Sequence, residues 1–484
     1  MQVLLAFAVN AAFNLVIGLL VARFLGPAEY GRFALAVTLG LVLQAALLDW
    51  LRLSTIRFYS EKTRAEAPHI RATLNYGAIV LCLGLALVAA VIFLSGIEIG
   101  LPSALLALGV TTAIANGLID FAMAILRARF ANALYLRLIL FKNVFSLALT
   151  VGGAFLFHSA AIALSGAIAS IFGSLILSRG ALLDADARPR DADGAEAALF
   201  LRYSAPIVAA NLLYLAIPLV NRSLVAIHYG FAETGQFSLA YDIGLRAIQT
   251  IGAALDTVLF QIAVAAQDLH GRDRARVQIA RNMTIVLAIA APATLGLVMT
   301  LPSVEAILAP PEYRGPFAHY LSLMAPGLFC LVVMLFAINP VFQIEKRTAP
   351  MVGAAMIGAL GTPLFDWAIT RFVPPAANAA HLAIAQSCAY GAALAALLIF
   401  ARTMRPLWPR GRDVAAIALA LAAMAGALAS TRSWAPSLAT LVAQMAIGAG
   451  VYGALAFGLD VAQLRAPALA RARAFLGARQ SRDG

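Results

Sequence analysis

Three charged side chains, Arg222, Asp242 and Arg246, fall inside long apolar stretches of this chain. A charge at the centre of a bilayer costs roughly 2.5–3.5 kcal/mol on insertion scales, so each of them needs a compensating role. Arg246 follows Asp242 by four residues and shares its helix face, while Arg222 lies on the preceding predicted helix. Cationic groups at this depth favour an anionic ligand, with Asp242 pairing with them when no ligand is bound. The alternative is a cluster that only holds the two helices together.

Further polar residues complete the candidate site. Asn221 and Asn14 could bind hydroxyl groups of a ligand, although such asparagines more often bond across helices. Asp49, Arg52 and Asp256 lie near the predicted inner ends of helices. We expect these three to form a gate by pairing across two halves of the chain, the alternative being ordinary charge at the water interface.

The elements that must position these residues follow from composition. The chain has 484 residues, of which 62% are hydrophobic and only 12% are charged. Soluble proteins carry about 25% charged residues, so too little polar surface is present for a soluble globule. Apolar runs near twenty residues recur, each long enough to cross a bilayer as a helix. The sequence therefore predicts an all-α polytopic membrane protein and not a β-barrel, whose strands would alternate in hydrophobicity.

Fourteen transmembrane helices are predicted. They cover roughly 3–22, 33–49, 72–94, 101–121, 136–156, 160–178, 203–227, 237–262, 282–301, 317–339, 351–371, 379–401, 413–430 and 438–458. With both termini placed in the cytoplasm, 27 of the 35 Lys and Arg residues fall on the inner side. Basic residues accumulate on the cytoplasmic side of membrane proteins, so this distribution predicts the orientation. It also explains the net charge of +12 without a nucleic-acid partner.

Several kinds of chemistry have no signature in the chain. The three cysteines lie in apolar runs without paired spacing, so neither disulfides nor a metal site are expected. No phosphate-binding loop of the ATPase type and no Ser/His/Asp arrangement is visible, so we expect no enzymatic activity. No cofactor is expected. Transport could be coupled to H⁺ or Na⁺, and the candidate coupling residues are Asp366 and the gate residues Asp49, Arg52 and Asp256.

A repeat organises the chain. The stretch LLVARFLGPAEYGRFALA at 19–36 is echoed by SLVAIHYGFAETGQFSLA at 223–240, an offset of 204 residues. The shared pattern G-x-A-E-x-G-x-F lies in a loop, where chance similarity between apolar segments does not account for it. Six predicted helices separate the two copies, so both enter the membrane in the same sense, as in transporters built from parallel repeats.

The repeat predicts four regions. They are an N-terminal six-helix bundle at 1–178, a cytoplasmic linker at 179–202, a second six-helix bundle at 203–401, and two extra helices with a basic cytoplasmic tail at 402–484. The bundles are expected to be related by a pseudo-twofold axis. The tail is expected to lie on the inner leaflet and contact anionic lipid.

Several segments resemble one family. The segments ARFLGPAEYGRFALA (22–36), DWLRLSTIRFYSE (49–61) and YGFAETGQFSLAYDIGLRAIQTIG (229–252) resemble Wzx-type polysaccharide and O-antigen flippases. These belong to the multidrug/oligosaccharidyl-lipid/polysaccharide superfamily, whose fold is that of MATE transporters. The resemblance implies transport of an oligosaccharide on undecaprenyl diphosphate across the bacterial inner membrane by alternating access. For such a substrate, we expect Arg222 and Arg246 to contact the diphosphate or acidic sugars. The partners expected from the resemblance are membrane lipids and the polysaccharide polymerase or glycosyltransferases that make or use the substrate.

Three other functions stay open at this point. A multidrug antiporter shares the fold, but its site should be acidic and aromatic. A peptidoglycan-precursor flippase usually has an arginine in the middle of the first helix, where this chain has none before Arg23. A membrane polysaccharide polymerase or ligase needs a sizeable outer loop, and none is predicted.

Overall fold

The computed structural model describes residues 2–184, 186–345, 347, 349–372, 378–404, 406–463 and 465. This part of the chain is almost entirely helical and contains no β-strand. Its α-helices are, in order, α1 (Gln2–Leu47), α2 (Asp49–Phe58), α3 (Glu61–Glu66), α4 (Pro68–Ser95), α5 (Ser103–Ala128), α6 (Asn132–Ser146), α7 (Gly152–Phe157), α8 (Ala160–Leu177), α9 (Arg179–Leu182), α10 (Gly194–His270), α11 (Arg272–Met299), α12 (Leu301–Leu308), α13 (Pro316–Val333), α14 (Asn339–Ile344), α15 (Ala349–Phe372), α16 (Ala380–Arg402), α17 (Gly411–Ala429) and α18 (Leu438–Gly458). The predicted all-α class is confirmed.

Two helices are too long for a single crossing of the bilayer. α1 has 46 residues and α10 has 77, whereas about 20 residues span the hydrocarbon. Each bends at a glycine with positive φ, Gly26 at 69° and Gly230 at 83°. The described chain has 12 helical segments apolar enough to span a membrane, and the two bent ones, Val9–Leu47 and Asn211–Thr250, each cover two predicted spans. The fourteen predicted spans are thereby accounted for, and the chain is a multi-pass membrane protein.

Contacts within the chain define two compact units. The first comprises Met1–Leu239, Pro310–Tyr313 and Phe372–Leu382, and the second comprises Ala240–Ala309, Arg314–Arg371 and Ala383–Gly484. The division falls inside α10 and not at the polar segment 179–202. The predicted regions 1–178, 179–202, 203–401 and 402–484 stay a prediction, and the tail from 466 onward lies outside the described residues.

Small residues let the helices of the first unit approach closely. A Cβ atom on Gly40 of α1 would lie 2.7 Å from the carbonyl oxygen of Gly109 in α5. Membrane helices gain little from the hydrophobic effect against one another, so close backbone packing is a main source of their association. Residues such as Leu74, Leu138 and Leu126 are fully or almost fully buried between these helices.

The polar segment 179–202 is attached to the first unit through Asp184. Its carboxylate accepts hydrogen bonds from the Tyr59 hydroxyl at 2.8 Å and the Arg64 Nε at 2.7 Å, and it also pairs with Arg129. Burial alone would raise the pKa of Asp184, but these three donors outweigh burial and hold that pKa below its usual value. The segment is therefore held by an ionised carboxylate at neutral pH.

Candidate functional site

The two copies of the repeated motif form equivalent helix junctions. In the first copy, Glu29 accepts a hydrogen bond from the backbone N–H of Ala160 at 2.8 Å, where α8 begins. In the second copy, Glu233 accepts one from the N–H of Ala379 at 3.1 Å, immediately before α16. A helix start leaves unpaired N–H groups and carries partial positive charge, so a carboxylate stabilises it. In each copy, the motif glutamate thus connects its own bent helix to the N-terminal end of another helix, α8 or α16, that begins more than a hundred residues later.

The second glycine of the motif lets the two copies touch. A Cβ on Gly31 would lie closer than 3.0 Å to the carbonyl oxygen of Phe231, and one on Gly235 would lie equally close to that of Pro27. Under the 204-residue offset, Pro27 corresponds to Phe231 and Gly31 to Gly235, so the two contacts are equivalent. The Arg32 guanidinium lies over the Phe231 ring at 5.0 Å and adds a cation–π contact at the same place.

Arg222 is buried in the first unit, with 5% of its surface exposed. Its Nη1 donates to the Thr38 hydroxyl at 2.6 Å and to the Ala34 carbonyl oxygen at 3.2 Å. Both acceptors belong to the second span of α1. The arginine therefore connects α10 to that part of α1. Thr38 was not predicted as a partner of Arg222. It occupies the repeat position of Asp242, so the 204-residue offset is a signal by which it could have been found.

Asn221 lies beside Arg222 and is 1% exposed. Neither its amide nitrogen nor its amide oxygen has a hydrogen-bond partner among the described residues. Asn14, the other predicted asparagine, is half-buried in α1. A buried amide without partners costs free energy unless another polar group reaches it, so Asn221 is suited to bind a ligand next to the guanidinium.

The other two members of the predicted cluster belong to the second unit. Asp242 is half-buried, and Arg246 is exposed four residues later. The backbone oxygen of Arg246 accepts a hydrogen bond from the Thr250 hydroxyl at 2.6 Å. The predicted pairing of Asp242 with Arg222, and the role of Arg246 towards an anion, stay predictions.

The predicted gate residues of the first unit bind each other. Arg52 donates to Asp49 through Nε at 2.6 Å and through Nη2 at 2.9 Å, and Asp49 is 5% exposed. This hydrogen bond outweighs the opposing effect of burial and raises the pKa of Arg52. On α5, Asp120 accepts a hydrogen bond from Gln44 at 3.1 Å, and its charge also acts on Arg52. Closure of a gate between Arg52 and Asp256 stays a prediction.

A neighbouring polar group connects α1 to α6. Lys142 and Asn143 both donate to the side-chain oxygen of Asn10, at 3.1 Å and 3.2 Å. Asn10 was not predicted, because an isolated asparagine in a membrane helix has no pattern that distinguishes it from others.

The remaining predicted carboxylates, Asp256 and Asp366, are both half-buried in the second unit. Within the part of the chain that the structure describes, no three His, Cys, Asp or Glu residues are grouped to hold a metal ion. The three cysteines are free thiols.

The second unit contains an apolar cavity of about 480 Å³. It is lined by α10, α11, α12, α17 and α18, with Ile289, Leu297, Met424, Leu441 and Met445 among its walls. The few polar groups at its border are already paired: the Tyr452 hydroxyl donates to the Ala288 carbonyl oxygen at 2.7 Å. Such a surface suits a hydrocarbon chain and not a sugar.

Comparison with known sequences gives one family. The model of the family described as polysaccharide biosynthesis protein matches residues 20–309. No curated protein sequence matches the chain. The matched residues include both copies of the repeated motif and Arg222.

Solved structures share the fold. The lipid II flippase MurJ in an inward closed conformation is 17% identical, with a TM-score of 0.71, covering 95% of this chain and 99% of that chain. An inward-facing multidrug resistance MATE transporter of the MOP superfamily is 14% identical, with a TM-score of 0.57, covering 82% and 95%. A MOP superfamily transporter from Pyrococcus furiosus, described as having a binding pocket of reverse polarity, is 15% identical, with a TM-score of 0.51, covering 83% and 93%.

Proposed function

Because the chain belongs to the polysaccharide biosynthesis protein family, we propose that it flips an oligosaccharide linked to undecaprenyl diphosphate from the inner to the outer leaflet of the bacterial inner membrane. The proposed cycle is alternating access, and the proposed reaction changes no covalent bond of the substrate. Both termini are proposed to be cytoplasmic.

Arg222 carries this proposal. A guanidinium that is 5% exposed in a membrane helix is costly, and its hydrogen bonds to Thr38 and Ala34 hold it in a defined position. Arginine binds phosphate oxygens in a bidentate manner, so a diphosphate is a ligand that suits this guanidinium. The adjacent amide of Asn221, for which the described part of the chain offers no hydrogen-bond partner, can bind the first sugar or a phosphate oxygen.

The apolar cavity of the second unit supports a lipid-linked substrate. An oligosaccharide without a lipid would gain no favourable contact from a cavity of about 480 Å³ that is lined by leucine, isoleucine and methionine. A polyprenyl chain gains free energy from such contact, at roughly 0.8 kcal/mol for each CH₂ group removed from water. In a bilayer this gain is smaller, since lipid tails compete, so the cavity orients the chain more than it adds affinity.

Reconstituted transport tests the proposal. Purified protein in liposomes that contain an undecaprenyl-diphosphate-linked oligosaccharide should make the glycan accessible to an external, membrane-impermeant glycosidase. Arg222→Ala should slow this step about tenfold or more, since a charge-assisted hydrogen bond is lost. Arg57→Ala removes an exposed arginine and should leave the rate unchanged. Accessibility equal to that of protein-free liposomes under H⁺ and Na⁺ gradients would contradict the proposal.

Alternative substrates separate the related functions. Faster movement of lipid II would favour a peptidoglycan-precursor flippase, and export of ethidium would favour a multidrug antiporter. Dependence of the rate on an H⁺ or a Na⁺ gradient would identify the coupling ion. Unchanged transport by Arg246→Ala would remove that residue from the proposed mechanism.

A further inference from the structure

The first unit contains a second cavity, of about 600 Å³, that the proposed transport does not use. It lies between α4, α5 and α8, and one end is lined by Leu182, Leu183, Asp184 and Ala187. This end holds Asp184 and its arginine partners, and the distribution of Lys and Arg predicts that it faces the cytoplasm.

A basic residue, Arg71, lines this cavity. Arg71 is 6% exposed, and its guanidinium lies 4.7 Å from the centre of the Phe121 ring. Its Nη2 donates weakly to the Leu182 carbonyl oxygen at 3.3 Å. Its Nε and Nη1 have no hydrogen-bond partner among the described residues. A buried guanidinium with two unused donors calls for an anionic acceptor.

The cavity wall changes from polar to apolar along α4. Arg71 is followed one turn later by Asn75, and then by Ile79 and Leu83. At 1.5 Å per residue, the distance from Arg71 to Leu83 is about 18 Å, the order of length of one acyl chain. The side chains of Ile79 and Leu83 are 48% and 66% exposed, so the apolar end of the cavity is open at the outer surface of α4.

The charge around Arg71 also favours an anion. Asp184 is the acidic residue of the cavity lining, and its carboxylate already accepts hydrogen bonds from Tyr59, Arg64 and Arg129. Three guanidinium groups, those of Arg64, Arg71 and Arg129, therefore accompany two carboxylates, because Arg64 also pairs with Glu61 at 3.2 Å. The site carries excess positive charge beside an apolar channel.

We propose that this cavity binds an anionic glycerophospholipid of the inner leaflet, such as phosphatidylglycerol. Its phosphate lies against Arg71 and Asn75, and one acyl chain follows Ile79 and Leu83. Since Arg71 also contacts Leu182, the bound lipid fixes the start of the 179–202 segment to α4.

Native mass spectrometry of the purified protein tests the site. Phosphatidylglycerol should bind more tightly than phosphatidylethanolamine with the same acyl chains. Arg71→Gln should weaken phosphatidylglycerol about tenfold, as expected for the loss of a charge-assisted hydrogen bond. Arg57→Gln is the matched control, because it removes an exposed arginine that does not line the cavity. Equal weakening by both variants would overturn the proposal.

Two further arms keep the test decisive. If Arg71→Gln does not fold, Asn75→Leu replaces it as the test. This variant leaves Arg71 in place and should also weaken binding of phosphatidylglycerol. Phosphatidylglycerol with a photoreactive acyl chain should cross-link to α4, α5 or α8, and cross-links confined to other helices would overturn the proposal. Binding of inorganic phosphate as tight as that of the lipid would show an anion site without a lipid channel, which also overturns it.

Discussion

Gly31 and Gly235 lie at equivalent places in the two copies of the repeated motif, and each packs against the backbone of the other copy. A Cβ on either glycine would come closer than 3.0 Å to a backbone carbonyl oxygen, of Phe231 or of Pro27. The motif therefore needs glycine at this position because of a contact between its own two copies.

Alanine at either glycine should destabilise the protein. The added methyl group clashes with backbone atoms, which cannot rotate away. We therefore expect the free energy of unfolding to fall by about 1–3 kcal/mol or more in Gly31→Ala and in Gly235→Ala. Thermal unfolding of the purified variants measures it. Gly18→Ala is the control in the same helix α1, since no atom lies within 4 Å of a Cβ there. A Gly18→Ala effect as large as the other two would contradict the stated cause.

Loss of the glutamate cap should weaken each junction. Glu29→Ala removes the acceptor for the Ala160 N–H, and Glu233→Ala that for the Ala379 N–H. Each should cost about 0.5–2 kcal/mol in thermal unfolding, as for other helix caps. Glu29→Gln keeps an oxygen acceptor and should cost less. Glu312→Ala, at an exposed residue, should have no effect, and a comparable loss there would refute the capping role.

Geometry as well as charge should matter at Arg222. Lysine retains the positive charge and one donor nitrogen, as Nη1 supplies to Thr38 and the Ala34 carbonyl oxygen, but it lacks the planar fork that suits a phosphate. Arg222→Lys is expected to keep part of the transport that Arg222→Ala loses. Thr38→Val removes the 2.6 Å hydrogen bond and should have a smaller effect than either. Transport rates in liposomes give this order, and full activity of Arg222→Ala would remove the residue from the site.

The attachment of the 179–202 segment should depend on acidity through Asp184. Its pKa in the folded protein is below the usual value, so its stabilising effect is present above that value and disappears as the pH falls through the folded pKa. The protection factors of the amides of residues 179–184, which are exchange rates corrected for the intrinsic effect of pH, should stay high from about pH 8 to 5 and fall below about pH 4.

Asn substitution separates this effect from general acid unfolding. Asp184→Asn should accelerate exchange of the same residues at neutral pH, because an amide cannot pair with Arg64 and Arg129 as a carboxylate does. Asp186→Asn changes an exposed residue two positions later and should leave exchange unchanged. Unchanged exchange in Asp184→Asn would show that the segment is held elsewhere.

The class of protein and the number of spans were predictable from the amino-acid sequence. Hydrocarbon admits only helices whose backbone groups pair internally, so length and apolarity of each segment suffice to find them. The repeat was also visible, because it is a relation between residue types along the chain. The repeated motif was predicted to lie in a loop, but the structure shows it inside α1 and α10, with only a bend at Gly26 and at Gly230.

The partners of the polar residues depended on the folded chain. Glu29 caps a helix that begins 131 residues later, and Arg52 pairs with Asp49 in its own helix although a gate towards Asp256 was predicted. Arg71 precedes the predicted span 72–94 by one residue, yet it lies within α4 and is buried beside a cavity. Hydropathy is a property of each segment and survives without neighbours. A hydrogen bond or a buried charge is a property of two segments, and only their packing in space brings the second one within about 3 Å.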